Sequence, residues 1–257
     1  MLLAIDVGNS HIVLGCIENG AILHVMRMAT NWSGFAIDYA VKLREIFRME
    51  DIDEGRFDGA ILSSVVPEVT DVLAAAVKRL LGLDCLIVGS NLDTGLEVCL
   101  DVPGQLAPDI LAGDVGALSE HRPPLIVLDM GTATTIAVIN SAGRHIGGAI
   151  LPGAGISLAA LTAGTSLLPS VSIEAPARCI SANTVDCMKS GLVFGTAALI
   201  DGMIDRMEGE LGEKATVIAT GGLAHSIVPN CRRKVLLEPD LLLKGLWVLY
   251  QRNIGQK

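Results

Sequence analysis

The sequence predicts an α/β protein built from two similar halves. Three observations carry this. A run of strand, Asp-x-Gly turn, strand, tight hairpin and strand occurs twice in the same order. Each run is followed by helical and strand patterns in alternation, the mark of an α/β layer. The chain is also 51% hydrophobic and only 18% charged, ample for a core and poor for disorder.

The first run starts at Leu2-Leu3-Ala4-Ile5-Asp6-Val7, turns at Gly8-Asn9-Ser10 and continues as an alternating stretch from His11 to Ile17. Asn19-Gly20 is a hairpin signal, and Ala21 to Val25 is the returning strand. Gly59 to Val66 reads as a buried strand. Pro67-Glu68 then opens a helix with Val69, Val72, Leu73, Ala76, Val77 and Leu80 on one face. The second run is Leu125 to Asp129, Met130-Gly131-Thr132, Thr134 to Ile139, Ala142-Gly143, and His145 to Ile150. Moving Asp6, Gly8 and Gly20 by 123 positions lands on Asp129, Gly131 and Gly143, so one register holds through two turns and three strands. Asn183 is placed to cap a long helix from Thr184 to about Glu210. Ala215 to Ala219 is a strand ending in Thr220-Gly221-Gly222, and Leu241 to Arg252 is a closing amphipathic helix. The halves are 1–118 and 123–257, divided near Arg122-Pro123-Pro124, with a ligand cleft expected between them.

Composition excludes several classes. The net charge is −9, a poor match to nucleic acid, and aromatic residues are only 3%, too few for base-stacking platforms. The six cysteines form no C-x-x-C pair and read as small buried hydrophobes in a reducing, cytoplasmic setting. Ala149 to Pro169 carries no charge, but Pro152, Gly153, Gly155 and Gly164 interrupt it. It reads as a buried helix with a glycine-rich lead-in at an interface rather than as a membrane span. Arg232-Arg233-Lys234 reads as a solvated loop.

The two Asp-x-Gly turns carry the chemistry. In each, a carboxylate ends a strand, glycine lets the backbone fold back, and backbone N–H groups with Asn9, Ser10, Thr132, Thr134 and Thr135 supply uncharged donors. Such a nest suits phosphate oxygens. Asp6 and Asp129 repel phosphate and so act through a cation or its water shell. Thr220-Gly221-Gly222 is a third glycine element, open enough for a purine or ribose to lie against backbone. Neither a P-loop nor G-x-G-x-x-G after the first strand is present.

Duplicated halves with two phosphate turns resemble the acetate and sugar kinase, Hsp70 and actin superfamily, whose ribonuclease H-like halves surround a central cleft. Within it the chain resembles the type III pantothenate kinase family. The resemblance rests on Asp6-Val7-Gly8-Asn9-Ser10, Asp109 in Ala107-Pro108-Asp109-Ile110, Asp129-Met130-Gly131-Thr132, Gly147-Gly148 through Pro152-Gly153, Leu168-Pro169, Asn183-Thr184 with Ser190-Gly191, and Thr220-Gly221-Gly222. It implies ATP-dependent phosphorylation of pantothenate to 4′-phosphopantothenate, the first step of coenzyme A synthesis, by a homodimer using Mg²⁺ and a monovalent cation, K⁺ or NH₄⁺. By position, Asp6, Val7, Gly8, Asn9, Ser10, His11, Ile12 and Val13 form the first ATP loop and Thr132 contacts ATP. Asp129 ligates the monovalent cation, and Asp109 is the general base. Ala107, Pro108, Ile110 and Thr184 belong to the substrate site. No nucleic-acid or membrane partner is implied.

The chain departs from the family pattern around the base, which is roughly Y-D-N-P followed by G-x-D-R. Here the residues are Leu100-Asp101-Val102-Pro103 and Ala107-Pro108-Asp109-Ile110. Isoleucine replaces an arginine suited to gripping a carboxylate in a bidentate fork. Two further readings follow: a kinase of the same fold for another small hydroxyl compound, or a non-catalytic regulatory family member.

Overall fold

The computed structural model describes residues 1–89 and 91–254. It forms two compact units. The first comprises Met1–Gly95, Gly104–Ser119 and the chain from Leu241 onward; the second comprises Leu96–Pro103 and Glu120–Asp240.

In the first unit, strands β1 (Leu2–Val7), β2 (His11–Glu18) and β3 (Ala21–Ala29) form an antiparallel meander. Helix α1 (Ala36–Met49) follows, then β4 (Gly59–Ser64), helix α2 (Pro67–Leu81) and β5 (Cys85–Ile87). The sheet order is β3-β2-β1-β4-β5, with β4 parallel to β1 and β5 parallel to β4. Alternation along β1 sends Leu3, Ile5 and Val7 into a core with Tyr39, Leu43 and Phe47 of α1 and Leu73 and Val77 of α2. Helix α1 is absent from the sequence reading because its stripe is broken by exposed Ile37, Val41 and Met49, and only Tyr39, Ala40, Leu43 and Phe47 are buried.

Helix α3 (Pro108–Glu120), as far as Ser119, also belongs to this unit, as does the last helix, α7 (Leu241–Asn253). Although α7 follows the second sheet in the chain, it packs on β1 and β4. Leu243 fills the space that a side chain at Gly15 would need, and the Tyr250 hydroxyl occupies that at Gly59. The expected half 123–257 therefore shares residues 123–240 with the second unit, while α7 joins the first.

The second unit repeats the arrangement. Its strands are β6 (Glu97–Val98), β7 (Leu125–Met130), β8 (Ala133–Ile139), β9 (Arg144–Pro152), β10 (Thr216–Thr220) and β11 (Leu236–Leu237). Their order is β11-β10-β7-β8-β9-β6. Read from β9, the series β9-β8-β7-β10-β11 matches β3-β2-β1-β4-β5 in order and direction, with β6 added at the edge. Even the irregularities recur: a bulge lies between Cys16 and Ile17 and another between Val138 and Ile139. Helices α4 (Ala154–Ala163), α5 (Thr184–Leu211) and the short α6 (Ala224–Ile227) complete the unit. Val193, Ala197, Ile200 and Ile204 of α5 cover the sheet against Ile126, Leu128 and Val217.

Several expectations change. Ala149 to Pro169 is not one buried helix: β9 runs to Pro152, and in α4 only Ala154 is buried. Gly147 and Gly148 lie inside β9, within the strand expected from His145 to Ile150. The cysteines divide, Cys16 being buried, Cys85 and Cys231 partly so, and Cys99, Cys179 and Cys187 exposed. Arg232 and Lys234 are exposed, as a solvated loop requires, but the Arg233 side chain is partly buried and ion-paired. The Arg232 and Arg233 backbone N–H groups donate to the Asp201 carboxylate at 2.8 and 3.0 Å, and Arg233 Nη2 donates to Glu208 at 2.7 Å. Burial pushes the Glu208 carboxyl up, but Arg233, Lys214 and the Ala215 N–H outweigh it and hold it at about 2.

Candidate active site

The first Asp-x-Gly turn follows from strand register. Val7 pairs with Ile12, leaving Gly8 to His11 to close the hairpin, and Gly8 N–H donates to the His11 carbonyl at 3.0 Å. Asn9, Ser10 and His11 are exposed, Gly8 and Asp6 partly so. Residues beyond the motif brace this turn: Thr30 Oγ1 donates to the Gly8 carbonyl at 2.7 Å, and Trp32 Nε1 to the Asn9 carbonyl at 3.2 Å. Neither was legible in the sequence, because Thr30 and Trp32 reach the turn only through the pairing of β2 with β3. Val7 and Ile12 are fully buried core residues, so their side chains point away from any ligand at the turn. Among the eight residues of the expected ATP loop, the exposed polar surface is that of Asn9, Ser10 and His11.

The second turn is one residue tighter. Met130 pairs with Thr134, leaving Gly131 to Ala133, and Gly131 N–H donates to the Ala133 carbonyl at 3.0 Å. Thr132 is exposed at its tip. Two glycines from distant parts of the chain wall this turn. Gly153, between β9 and α4, lies so close that a Cβ there would sit 2.3 Å from the Thr132 carbonyl oxygen and 2.6 Å from that of Gly131. Gly221, after β10, has φ +92°, and a Cβ there would lie 2.5 Å from Asp129 Oδ1. Leu223 N–H fastens the same loop to the Met130 carbonyl at 3.1 Å. Asp129, Gly131, Thr132, Gly153 and Gly221 thus converge within one unit. Only glycine fits at 153 and 221, which leaves backbone groups, the Thr132 hydroxyl and one carboxylate as the chemistry presented.

Asp109 is the second residue of α3, one position inside the helix behind Pro108, so it is not the N-cap. Its Oδ1 accepts a hydrogen bond from Ile110 N–H at 2.8 Å. Burial pushes its carboxyl above the usual carboxylate range, against the downward pull of the Ile110 and Asp109 N–H groups. A carboxylate raised by desolvation is the more basic one, the tuning a general base requires. Ala107, Pro108 and Ile110 are partly buried around the same turn, with the Ala107 carbonyl accepting Leu111 N–H at 3.0 Å.

Thr184 opens α5. Asn183 caps that helix, its side-chain oxygen accepting Asp186 N–H at 2.9 Å. Thr184 lines a cavity of about 830 Å³ with Ser157, Leu158 and Leu161 of α4 and Cys187 and Met188 of α5. The cavity polarity is mixed, with Asn183, Thr184 and the serines facing an aliphatic wall.

Comparison with known proteins matches this arrangement. A family model described as type III pantothenate kinase matches residues 2–206. A type III pantothenate kinase of Moorella thermoacetica is 40% identical, over 98% of this chain and all of that one. One from Geotalea daltonii is also 40% identical, over 98% and 99% of the two chains. Among solved structures, component A of the Acidaminococcus fermentans (R)-2-hydroxyglutaryl-CoA dehydratase superposes with a TM-score of 0.57 at 12% identity, covering 96% of this chain and 95% of that one. That likeness concerns the fold, an actin-like ATPase and sugar-kinase architecture of duplicated ribonuclease H-like halves, which the matched strand orders display directly. The likeness extends over nearly the full length of the chain, which belongs to the type III pantothenate kinase family.

Proposed function

We propose that this protein transfers the γ-phosphoryl group of ATP to the 4′-hydroxyl of pantothenate, giving 4′-phosphopantothenate and ADP, the first step of coenzyme A synthesis. The observation that carries the reading is 40% identity to type III pantothenate kinases over nearly the whole chain. In this reading Asp109 accepts the hydroxyl proton, the freed oxygen pair attacks the γ-phosphorus, and the bond from that phosphorus to the bridging β–γ oxygen breaks. Positioning and charge neutralisation carry most phosphoryl-transfer catalysis, with the base supplying the proton's destination. The Gly8-Asn9-Ser10 and Gly131-Thr132 turns offer N–H and hydroxyl donors to phosphate oxygens. Gly221 lies against Asp129, and Gly153 against the Gly131 and Thr132 carbonyls, closer than any Cβ would permit. Asp6, through water, and Asp129 are the carboxylates suited to hold Mg²⁺ and a monovalent cation, K⁺ or NH₄⁺, which would neutralise phosphate charge. The family resemblance assigns pantothenate contacts to the first turn of α3 and, separately, to Thr184.

Homodimerisation belongs to the same reading. Its support is the apolar surface around α4 and α5, where Ile156 is 46%, Leu161 43% and Leu167 91% exposed in the single chain. A cytoplasmic enzyme without nucleic-acid or membrane partners accords with the net charge of −9 and with the acidic, ion-paired flank of α5.

One observation favours a second reading, a kinase of the same fold for a hydroxyl compound without a carboxylate: Ile110 beside the base supplies no cation. A coupled ADP-release assay with pantothenate and a panel of uncharged hydroxyl acceptors, with ATP, Mg²⁺ and K⁺, separates the two. Pantothenate turnover abolished by Asp109→Ala supports the first. No turnover above that variant with any acceptor would reject both, leaving a regulatory role. Ile110→Arg is expected to lower the pantothenate KM about 10-fold or more through one new charged hydrogen bond, and an unchanged KM would place carboxylate recognition elsewhere.

A further inference from the structure

Glu120, the last residue of α3, His121 and Glu238 lie apart from the two turns, the first turn of α3 and the α4–α5 cavity. Among the described residues they form a group in which two carboxylate oxygens and one imidazole nitrogen lie within 4.8 Å of one another. His121 Nε2 and Glu238 Oε1 are in direct contact, their side chains only 20% and 14% exposed, while Glu120 faces solvent. Glu120, which closes α3, and His121 begin the stretch Glu120–Asp240 of the second unit, and Glu238 stands two residues before that stretch ends. The group therefore joins the two ends of that stretch.

We propose that Glu120, His121 and Glu238 bind one divalent transition-metal ion, of the class of Zn²⁺ or Co²⁺. Zinc takes imidazole nitrogen and carboxylate oxygen at about 2.0–2.2 Å, so ligand atoms sharing an ion sit about 3–4 Å apart. Small side-chain rotations bring atoms within 4.8 Å to that spacing. An imidazole nitrogen selects such ions over Mg²⁺ and Ca²⁺, which prefer oxygen alone. Two carboxylates balance the dication, and three protein ligands leave a position for water. The ion also has a structural consequence inside the unit. Glu238 N–H donates to the Ala219 carbonyl at 2.8 Å, and Thr220 Oγ1 donates to the Pro239 carbonyl at 3.3 Å. Fixing Glu238 thus fixes the end of β10, from which the Gly221 loop departs.

The test uses the full-length protein, stripped with chelator and free of nucleotide, in excess Mg²⁺. Co²⁺ is titrated with visible absorption as readout, and Zn²⁺ is measured by equilibrium dialysis. The expected result is one Co²⁺ or Zn²⁺ per chain, with d–d bands of a low-coordinate site and a raised melting temperature. His121→Asn and Glu120→Gln should each weaken binding by roughly 10-fold or more. Glu120 is exposed, so its variant folds, and circular dichroism verifies this. Asp129→Asn should retain the site, separating it from cation binding at the Asp-x-Gly turn. No saturable binding in excess Mg²⁺, or unchanged affinity in both the His121→Asn and Glu120→Gln variants, would overturn the proposal and leave His121–Glu238 a simple ion pair.

Discussion

Gly221→Ala puts a single methyl group where the second turn is walled. At φ +92° an L-residue is strained, by about 1–2 kcal/mol. The new Cβ would also stand 2.5 Å from Asp129 Oδ1 and 2.6 Å from the Met130 backbone. Backbone cannot rotate aside like a flexible side chain, so overpacking adds about 1–3 kcal/mol. The sum is about 2–5 kcal/mol, part of which is relieved by displacing the Asp129 carboxylate. Thermal unfolding should fall by several degrees, and the activation constant for K⁺ should rise as Asp129 moves. Gly209→Ala is the matched control: it lies inside α5 with nothing within 4 Å of the new methyl. There alanine should be neutral or stabilise by up to about 1 kcal/mol. Equal melting temperatures and K⁺ dependence for Gly221→Ala and the unmodified protein would refute the close approach of Gly221 to Asp129.

Other expectations follow from the same geometry. Asp109→Asn should lower kcat by roughly 10²–10⁴-fold. In the unmodified enzyme the acidic limb of kcat should lie above the ordinary carboxylate range, because burial raises Asp109 and only its deprotonated form accepts a proton. A raised native pKa also means that stability present below the unfolded pKa is lost as pH rises through the native one. Asp109→Asn should therefore unfold no more easily than the unmodified protein at pH 8, and marked destabilisation there would contradict the assignment. Glu208 has the opposite sign. Held at about 2 against roughly 4.3 unfolded, it contributes up to about 3 kcal/mol, fully present above pH 4.3 and lost between there and pH 2. Urea unfolding of Glu208→Gln should show a flatter decline through that window, and an unaltered decline would exclude Glu208 as its source. Gly245→Ala should cost about 2–3 kcal/mol by driving α7 from α3, since its Cβ would lie 1.8 Å from the Ala112 carbonyl oxygen. Because α3 carries Asp109, kcat should fall with stability, and a change in neither would refute that contact.

Legibility divides along a physical line. The sequence by itself determined what depends on neighbours along the chain. Alternating side chains marked the strands, Asp-x-Gly marked the two turns, and one register displayed the duplication that sheet order then repeats. Asp109 was visible as a lone acid among apolar residues after a proline, and Asn183 as a cap before an apolar run. Helix α1 escapes because its buried stripe is interrupted, and the ion pairing of Arg233 escapes because its carboxylate partners, Asp205 and Glu208, lie on α5. Only the tertiary structure decided the approaches between distant segments. Gly221 meets Asp129, Gly153 meets Thr132, α7 covers the first sheet rather than the second, and His121 finds Glu238. Hydrophobic periodicity and turn chemistry are properties of a local segment, whereas the absence of a Cβ gains its meaning from whatever backbone the fold brings against it.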